Sequence, residues 1–346
     1  MEPVKLGNKY LTLPIIQGGM GVGVSLSQLA GAVASFGAMG VISGVNPGYR
    51  RENFMSHPLK DNELALEEEV RKAKEISKGR GLIGVNVMVA ITQYREMVEA
   101  AVKGGADAII SGAGLPLQLP EFVPKDILIA PIVSSKRALR IIIKTWKKKF
   151  SRLPDFVVVE GPKAGGHLGF KTKEISTITL DEIVKDVGAY LDDIKEKENI
   201  HIPFFAAGGI RNGKRRKELM DLGASGIQVS TPFIATEECD VSKEFKETII
   251  NSTDKDLKII QSPAGFPARG VYNSFLQEVD YNLVPKRHCI NCLKTCDPNH
   301  TPYCISKMLC ESAKGRKGLI FSGTDIDDIN EITTVEKVLQ KLMEEI

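Results

Sequence analysis

Cysteine is absent from most of this chain. None occurs in the first 238 of the 346 residues, and five of the six cysteines lie between residues 289 and 310. Secreted disulfide-rich folds spread their cysteines through the sequence, so this distribution excludes that class and indicates one local site.

Long apolar runs are absent as well. Residues 10–49 carry no charged side chain, but nine glycines and two glutamines interrupt them, so no 18-residue apolar segment forms. The N-terminus has no basic stretch followed by an apolar one. We therefore expect a cytoplasmic protein with no membrane segment.

Neither sign of charge is in excess. The chain has 46 Lys and Arg against 43 Asp and Glu, which leaves a net charge of +3. This balance gives no electrostatic reason to expect a nucleic-acid partner, and a small-molecule substrate is expected instead. The hydrophobic content of 42% can supply a large core.

Short β-branched runs that end in glycine or a polar residue alternate with helical stretches, which is typical of repeated βα units. Eight strands are predicted, at residues 13–17, 38–43, 82–87, 107–111, 127–133, 156–160, 203–207 and 226–230. Helices are predicted at 27–36, 63–77, 92–103, near 117, 135–150, 180–196, 213–222 and from about 233.

Eight such units favour a TIM (β/α)8 barrel, and no early G-x-G-x-x-G with a following acidic residue supports a Rossmann fold. We expect the barrel to occupy residues 1–285, with an insertion at 46–70. Residues 286–346 are expected to form a Cys-rich segment and a closing helix packed on the barrel.

The catalytic face of such a barrel is formed by the loops after its strands. The sequences "AAGGIRNG" after the seventh strand and "GIQVST" at the eighth place bare amides and hydroxyls where barrels commonly bind phosphate. A phosphate-bearing cofactor is therefore expected there.

Six motifs in chain order carry a family resemblance: "PIIQGGMGVGVS", "GVNVM", "SGAG", "AGGHLG", "AAGGI" and "ASGIQVSTPFIATEEC". Together they resemble the FMN-dependent nitronate monooxygenase family, formerly called 2-nitropropane dioxygenase, which includes the FMN-dependent enoyl-ACP reductase II. The resemblance spans about residues 10–275.

The resemblance implies an FMN lying across the barrel mouth and His167 as the catalytic residue. The cofactor-binding residues that it implies are Gly18, Gly19, Met20, Asn86, Ser111, Gly165, Gly166, Gly208, Gly209, Gln228, Ser230 and Thr231. One position departs from the pattern, because Pro232 stands where similar proteins often have arginine, and proline has no amide hydrogen to donate.

His167 lies between Gly165, Gly166 and Gly169 in a predicted loop, where it has little packing role. A histidine beside a flavin can titrate near neutral pH, so we expect an acid–base role. Two reactions fit that role: oxidation of nitronates or nitroalkanes with O2, and NAD(P)H-dependent reduction of an enoyl thioester or quinone. A flavin-binding barrel without chemistry is a third, less favoured interpretation.

The sequence also predicts roles for two other segments. Arg50 and Arg51 in the insertion could meet an anionic substrate. The helix at 27–36 has no charged residue, so the C-terminal segment or a second subunit of a homodimer is expected to cover it.

Cys289, Cys292, Cys296 and Cys304 have the spacing C-x2-C-x3-C-x7-C, and Cys310 follows. This density allows three interpretations: an iron–sulfur cluster, a zinc site with His288 or His300 as a ligand, or cysteines that bind no metal.

Overall fold

The computed structural model describes residues 3–281 and 289–344. Eight parallel strands close into a barrel. In chain order these barrel strands are β3 (Ile15–Gln17), β4 (Met39–Ser43), β5 (Leu82–Met88), β6 (Ala108–Gly112), β7 (Leu128–Val133), β8 (Val157–Glu160), β10 (Phe204–Ala207) and β11 (Gly226–Val229). The predicted TIM barrel is confirmed, and each predicted strand overlaps an observed one.

The helices form a layer around the barrel. They are α1 (Ser27–Ser35), α2 (Pro58–Ser77), α3 (Tyr94–Gly104), α4 (Leu119–Phe122), α5 (Lys136–Phe150), α6 (Leu180–Glu198), α7 (Gly213–Asp221) and α8 (Lys243–Ile250). Helix α2 begins five residues before its predicted start, because Pro58 occupies the first helical turn, where proline needs no amide partner.

Side chains alternate between the barrel interior and the helical layer. Val158 belongs to the interior cluster, whereas Val157 and Val159 pack with the helices. A hairpin of β1 (Val4–Leu6) and β2 (Lys9–Leu11) adds Leu6 and Leu11 to the interior cluster at the N-terminal end of the barrel. The catalytic face therefore lies at the opposite end of the barrel, where the strands have their carboxyl ends.

Residues 257–271 form a β-hairpin. Strand β12 (Leu257–Gln261) pairs with β13 (Pro267–Val271), and β13 pairs in turn with β9 (Gly166–His167). His167 therefore lies in a short strand of a small sheet and not in a free loop. Prolines and glycines around the turn are atypical of β-strands, so the sequence did not indicate this hairpin.

The C-terminal part contains α9 (Ser274–Asp280), α10 (Ile305–Ala313) and α11 (Val335–Met343). Helix α11 contacts α1 and α7, so the closing helix lies on the barrel and partly covers the uncharged helix α1. The domain boundary predicted at 285–286 lies outside the described residues.

Candidate active site

A cavity of about 410 Å³ opens at the carboxyl ends of the barrel strands. It brings together most of the site residues predicted from the sequence: Gly19, Met20, Asn86, Gly165, Gly166, His167, Gly208, Gly209, Gln228, Ser230 and Thr231. Residues separated by more than 200 positions therefore share one chamber, as the barrel prediction requires.

Ser111 and Gly18 are the two predicted cofactor residues that do not line this cavity. Ser111 follows Ile110, which faces the barrel interior, so the serine side chain faces the helices. Its Oγ donates a hydrogen bond to the Val87 carbonyl (2.7 Å) and lies 2.9 Å from the Tyr94 hydroxyl. The expected contact between the Ser111 side chain and the cofactor is therefore not supported.

Gly18 has a packing role beside the cavity. A Cβ added at this position would lie 2.5 Å from Ser230 Oγ and 3.1 Å from Gln228 Nε2. The glycine thus allows the chain just after β3 to approach Gln228 of β11 and Ser230, which follows that strand; both side chains line the cavity.

His167 is held by a residue that the sequence did not indicate. Its Nε2 lies 2.7 Å from Ser262 Oγ, in the turn of the β12–β13 hairpin. The Phe321 and Phe266 rings contact the imidazole edge-on, with centroid distances of 5.3 and 6.5 Å. These contacts fix the ring at the wall of the cavity.

Burial lowers the pKa of His167 to about 4. A charged imidazolium would lose its hydration here, and no carboxylate among the described residues forms an ion pair with the ring. The expectation that His167 titrates near neutral pH is therefore wrong, because at pH 7 the ring is neutral. It offers one N–H donor and one nitrogen lone pair.

The glycine loop before His167 is fixed by Arg269, a buried residue of β13. Its Nη1 donates hydrogen bonds to the carbonyls of Pro162 (2.8 Å) and Ala164 (2.6 Å). Burial lowers the pKa of this guanidinium. Sequence reasoning missed this link because 105 residues separate Arg269 from Ala164.

Residues 321–325, "FSGTD", form a segment that we call the strap. The Gly323 amide donates to Thr231 Oγ1 (3.0 Å), and the Thr324 amide donates to the Lys163 carbonyl (3.1 Å). The strap therefore joins the loops after β8 and β11 at the predicted phosphate end. Hydroxyl residues flanking a glycine were the sequence signal that could have indicated it.

Two basic residues also line the cavity near the strap. Lys163 Nζ lies 3.9 Å from Asp325 Oδ2, and Arg211 Nη1 lies 3.6 Å from Asp325 Oδ1. Arg211 Nη1 is also 3.4 Å from Asp328 Oδ2. These long ion pairs place two cations where a cofactor phosphate is expected.

The residues present fit an FMN. Gln228 Oε1 is buried and has no hydrogen-bond partner, so it requires a donor such as a ribityl hydroxyl. Gly208 and Gly209 adopt φ values of 101° and 72°, a backbone conformation that glycine permits beside the cavity. Ser230 and Thr231 add hydroxyls at the same end.

The cysteine segment packs beside this site. The Thr92 amide donates to the Cys292 carbonyl (3.1 Å), and the Lys294 amide donates to the Ala90 carbonyl (3.0 Å). All six cysteines are free thiols.

No metal site is found in this segment. Within residues 3–281 and 289–344, no group of three or more His, Cys, Asp or Glu side chains is arranged to hold a metal ion. The predicted site at Cys289, Cys292, Cys296 and Cys304 is thus not supported, either as an iron–sulfur cluster or as zinc. His288 lies outside the described residues, and His300 Nδ1 lies 2.5 Å from Asp297 Oδ2.

Arg50 and Arg51 do not line the cavity. Arg50 Nε donates to the Tyr49 hydroxyl (2.8 Å), and its Nη2 bonds the Asp240 carbonyl. Arg51 pairs with Glu68 at 2.7 Å. The insertion therefore uses its arginines for contacts within the protein.

Across the described part of the chain, no helix combines the length and apolar character needed to cross a bilayer.

A closed parallel barrel with glycine loops, hydroxyls and a buried histidine around one cavity defines a (β/α)8-barrel enzyme with room for a cofactor. The family model for nitronate monooxygenase matches residues 4–345. The chain therefore belongs to the nitronate monooxygenase family, a family of oxidoreductases.

Curated relatives agree with this assignment. A probable nitronate monooxygenase of Staphylococcus saprophyticus is 27% identical over 191 residues, which cover 54% of this chain and 50% of the relative. One from Staphylococcus aureus (strain Newman) is 32% identical over 125 residues, 36% of this chain and 34% of the relative. The chain thus spans at most about half the length of these relatives.

Solved structures share the fold. FabK from Thermotoga maritima aligns with a TM-score of 0.67 and 21% identity, covering 96% of this chain and 91% of that one. Nitroalkane oxidase from Streptomyces ansochromogenes aligns with a TM-score of 0.68 and 18% identity, covering 95% and 94%. At these identities the likeness supports the barrel architecture.

Proposed function

We propose that this protein is an FMN-dependent oxidoreductase that oxidises nitronates with O2. The observation that carries the proposal is the neutral, buried His167 at the wall of a cavity whose other end is built from glycine amides, hydroxyls and two cations. When bound, FMN supplies an acceptor for the substrate's electron pair and a donor to O2.

The loops after β10 and β11 would hold the phosphate of FMN. Gly208 and Gly209 leave their backbone open to it, and Ser230 and Thr231 can donate hydrogen bonds. Lys163 and Arg211 would balance its negative charge. Met20 and Asn86 also line the cavity and would contact the flavin ring.

His167 would bind and orient the substrate through its neutral ring. With a pKa of about 4, the imidazole is a weak base at neutral pH. It is therefore poorly suited to remove a carbon-bound proton from a neutral nitroalkane, but it can hydrogen-bond a substrate that is already ionised. This property favours nitronates as the substrate class.

The test is anaerobic mixing of the flavin-loaded protein with an alkyl nitronate, with NADH or with NADPH, while flavin absorbance is followed. We expect rapid bleaching by the nitronate and recovery of the oxidised spectrum when O2 is admitted. Bleaching by NADH or NADPH and not by the nitronate would contradict the proposal and favour the alternative, an NAD(P)H-dependent reductase.

A simpler measurement comes first. The purified protein is expected to be yellow and to release FMN on denaturation, since the barrel provides one phosphate site and no separate nucleotide domain. Colourless protein that cannot be reconstituted with FMN would contradict both the oxygenase and the reductase interpretations.

A further inference from the structure

A second cavity adjoins the active-site cavity and has no role in the proposed mechanism. Its volume is about 40 Å³, and we call it the side pocket. Four residues line both cavities: Val45, Met88, His167 and Leu309. Because His167 lies at this boundary, a substrate that binds the imidazole has the side pocket within reach.

The cysteine segment forms one wall of the side pocket. Ile290, Cys292 and Leu293 of this segment line it. An antiparallel bridge between Leu293 and Ile91 holds the wall against the loop after β5. All six sequence motifs end before this segment, so the wall is not part of the resemblance that they carry.

Most polar side chains that line the side pocket are already hydrogen-bonded to one another. Asn46 Nδ2 donates to Ser306 Oγ (2.9 Å), and Asn62 Nδ2 donates to Asn46 Oδ1 (3.4 Å). The Cys292 thiol also hydrogen-bonds to Ser306, and burial raises the pKa of this thiol to about 11, so it is neutral at pH 7. No Asp, Glu, Lys or Arg occurs among the described residues that line the pocket. The surface left for a ligand is therefore mainly aliphatic.

The size of the side pocket limits its occupant. A water-sized group needs about 10 to 15 Å³ of such a cavity, so about 40 Å³ accommodates about three methyl or methylene groups. A flavin or nicotinamide ring does not fit this space, whereas a short unbranched alkyl chain does. Met88 lies at the boundary and is half-exposed, and its flexible side chain can move aside for such a chain.

We infer that the side pocket binds the alkyl chain of the substrate, and that the preferred substrates are straight-chain alkyl nitronates with about three carbons beyond the nitronate carbon. The anionic group would stay at His167 in the larger cavity, and the chain would pass Met88. Burial of each methylene contributes about 0.8 kcal/mol, which corresponds to about fourfold in kcat/KM. The inference rests on the proposed nitronate oxidation, whose substrate class it narrows.

The first measurement is kcat/KM of the flavin-loaded protein with a series of primary nitronates. The series consists of the anions of nitroethane, 1-nitropropane, 1-nitrobutane, 1-nitropentane and 1-nitrohexane. We expect an increase of about fourfold per methylene up to 1-nitrobutane, about sixteenfold in all, and no further increase beyond it. Equal values across the series, or a rise that continues through 1-nitrohexane, would overturn the inference.

Two substitutions change the size of the side pocket in opposite directions. Cys292→Leu places a larger side chain in it and should reduce the preference for 1-nitrobutane over nitroethane from about sixteenfold to about fourfold or less. Ile290→Ala enlarges the pocket and should shift the optimum to 1-nitropentane or 1-nitrohexane. Cys296→Leu is the matched control and should keep the wild-type series, because Cys296 is a half-buried cysteine of the same segment that lines neither cavity. A chain-length preference that neither Cys292→Leu nor Ile290→Ala alters would show that the chain binds elsewhere.

Inert carboxylates give a binding readout that does not depend on turnover. Propionate, butyrate, pentanoate and hexanoate carry a similar two-oxygen anion, and their dissociation constants follow from the change in flavin absorbance when the flavin-loaded protein is titrated. Affinity should rise up to pentanoate in the wild type and in Cys296→Leu, and not in Cys292→Leu.

The two readouts separate the inference from the proposed function. This carboxylate pattern without nitronate oxidation would still assign the side pocket to an alkyl chain and would overturn the proposed function alone. Nitronate oxidation without a chain-length preference would overturn the inference and spare the proposed function. The absence of both nitronate oxidation and carboxylate binding would overturn both.

Discussion

Ser262 Oγ lies 2.7 Å from His167 Nε2 and accepts a hydrogen bond from the Ala264 amide at 3.2 Å. The turn of one hairpin thus fixes a side chain that lies 95 residues earlier in the sequence. Because Nε2 is engaged, the ring has a defined orientation at the cavity wall.

Removing the Ser262 hydroxyl should reduce turnover without removing the flavin. We expect Ser262→Ala to lower kcat about fivefold with KM little changed, because a hydrogen bond of this kind contributes about 1 kcal/mol. Ser262→Thr, which keeps the hydroxyl, should restore much of the rate. A threonine variant as slow as the alanine variant would argue against positioning by this hydroxyl.

Replacing His167 itself should have a larger effect. His167→Asn is expected to lower kcat/KM for nitronates by about 10- to 150-fold, because a hydrogen bond to a charged group contributes about 1.5 to 3 kcal/mol. His201→Asn is the matched control, because His201 is exposed and does not line the cavity. Flavin content measured by absorbance should be similar in both variants. Normal turnover by His167→Asn would exclude a direct role for the imidazole.

The lowered pKa of His167 also predicts an acid-dependent loss of stability. The unfolded histidine takes up a proton near pH 6.5, and the folded one only near pH 4. As the pH falls from 6.5 to 4 the unfolded state binds more protons, so folding stability decreases, by up to about 3 kcal/mol at full effect. Urea unfolding at pH 7 and pH 4.5 should show a larger decrease for the wild type than for His167→Asn. An equal decrease in the two proteins would show that His167 is not desolvated.

The eight strands could be predicted because buried parallel strands have β-branched runs that end in small or polar residues, as in "VVVEG" at residues 157–161. The glycines around His167 were an equally local signal. Ser262, Phe321 and Arg269 could not be predicted, because each contacts the His167 loop across more than 90 residues and nothing in their spacing records the contact.

Ser111 illustrates a different limit. Its motif "SGAG" lies at the correct end of a barrel strand, but side chains alternate between the two faces of a strand. Only the observed direction of Ile110 shows that Ser111 faces the helices. A one-residue change in register decides between a cofactor contact and a core hydrogen bond.

This placement predicts that Ser111→Ala leaves flavin affinity unchanged. The variant loses hydrogen bonds to Tyr94 and to the Val87 carbonyl, so we expect a stability loss of about 1 kcal/mol. Asn86→Ala, on the cavity side of the adjacent strand, is the comparison and should weaken FMN binding. If fluorescence titration of the folded Ser111→Ala protein showed weaker flavin binding, Ser111 would have to be a cofactor-binding residue after all.

The two basic residues near the strap should distinguish FMN from riboflavin. Lys163 and Arg211 line the cavity beside the glycine amides after β10. Position 232, where similar proteins often have arginine, is a proline in this chain. A charge-assisted hydrogen bond to phosphate contributes about 1.5 to 3 kcal/mol, so Arg211→Ala should weaken FMN at least tenfold and riboflavin hardly at all. Lys217→Ala, which removes an exposed cation from α7, is the matched control. Asp325→Asn should strengthen FMN binding, because it removes the carboxylate that competes with phosphate for both cations. If Arg211→Ala weakened FMN and riboflavin equally, the guanidinium would act on the ring or on the fold, and the phosphate would have to be bound by the backbone amides and hydroxyls alone.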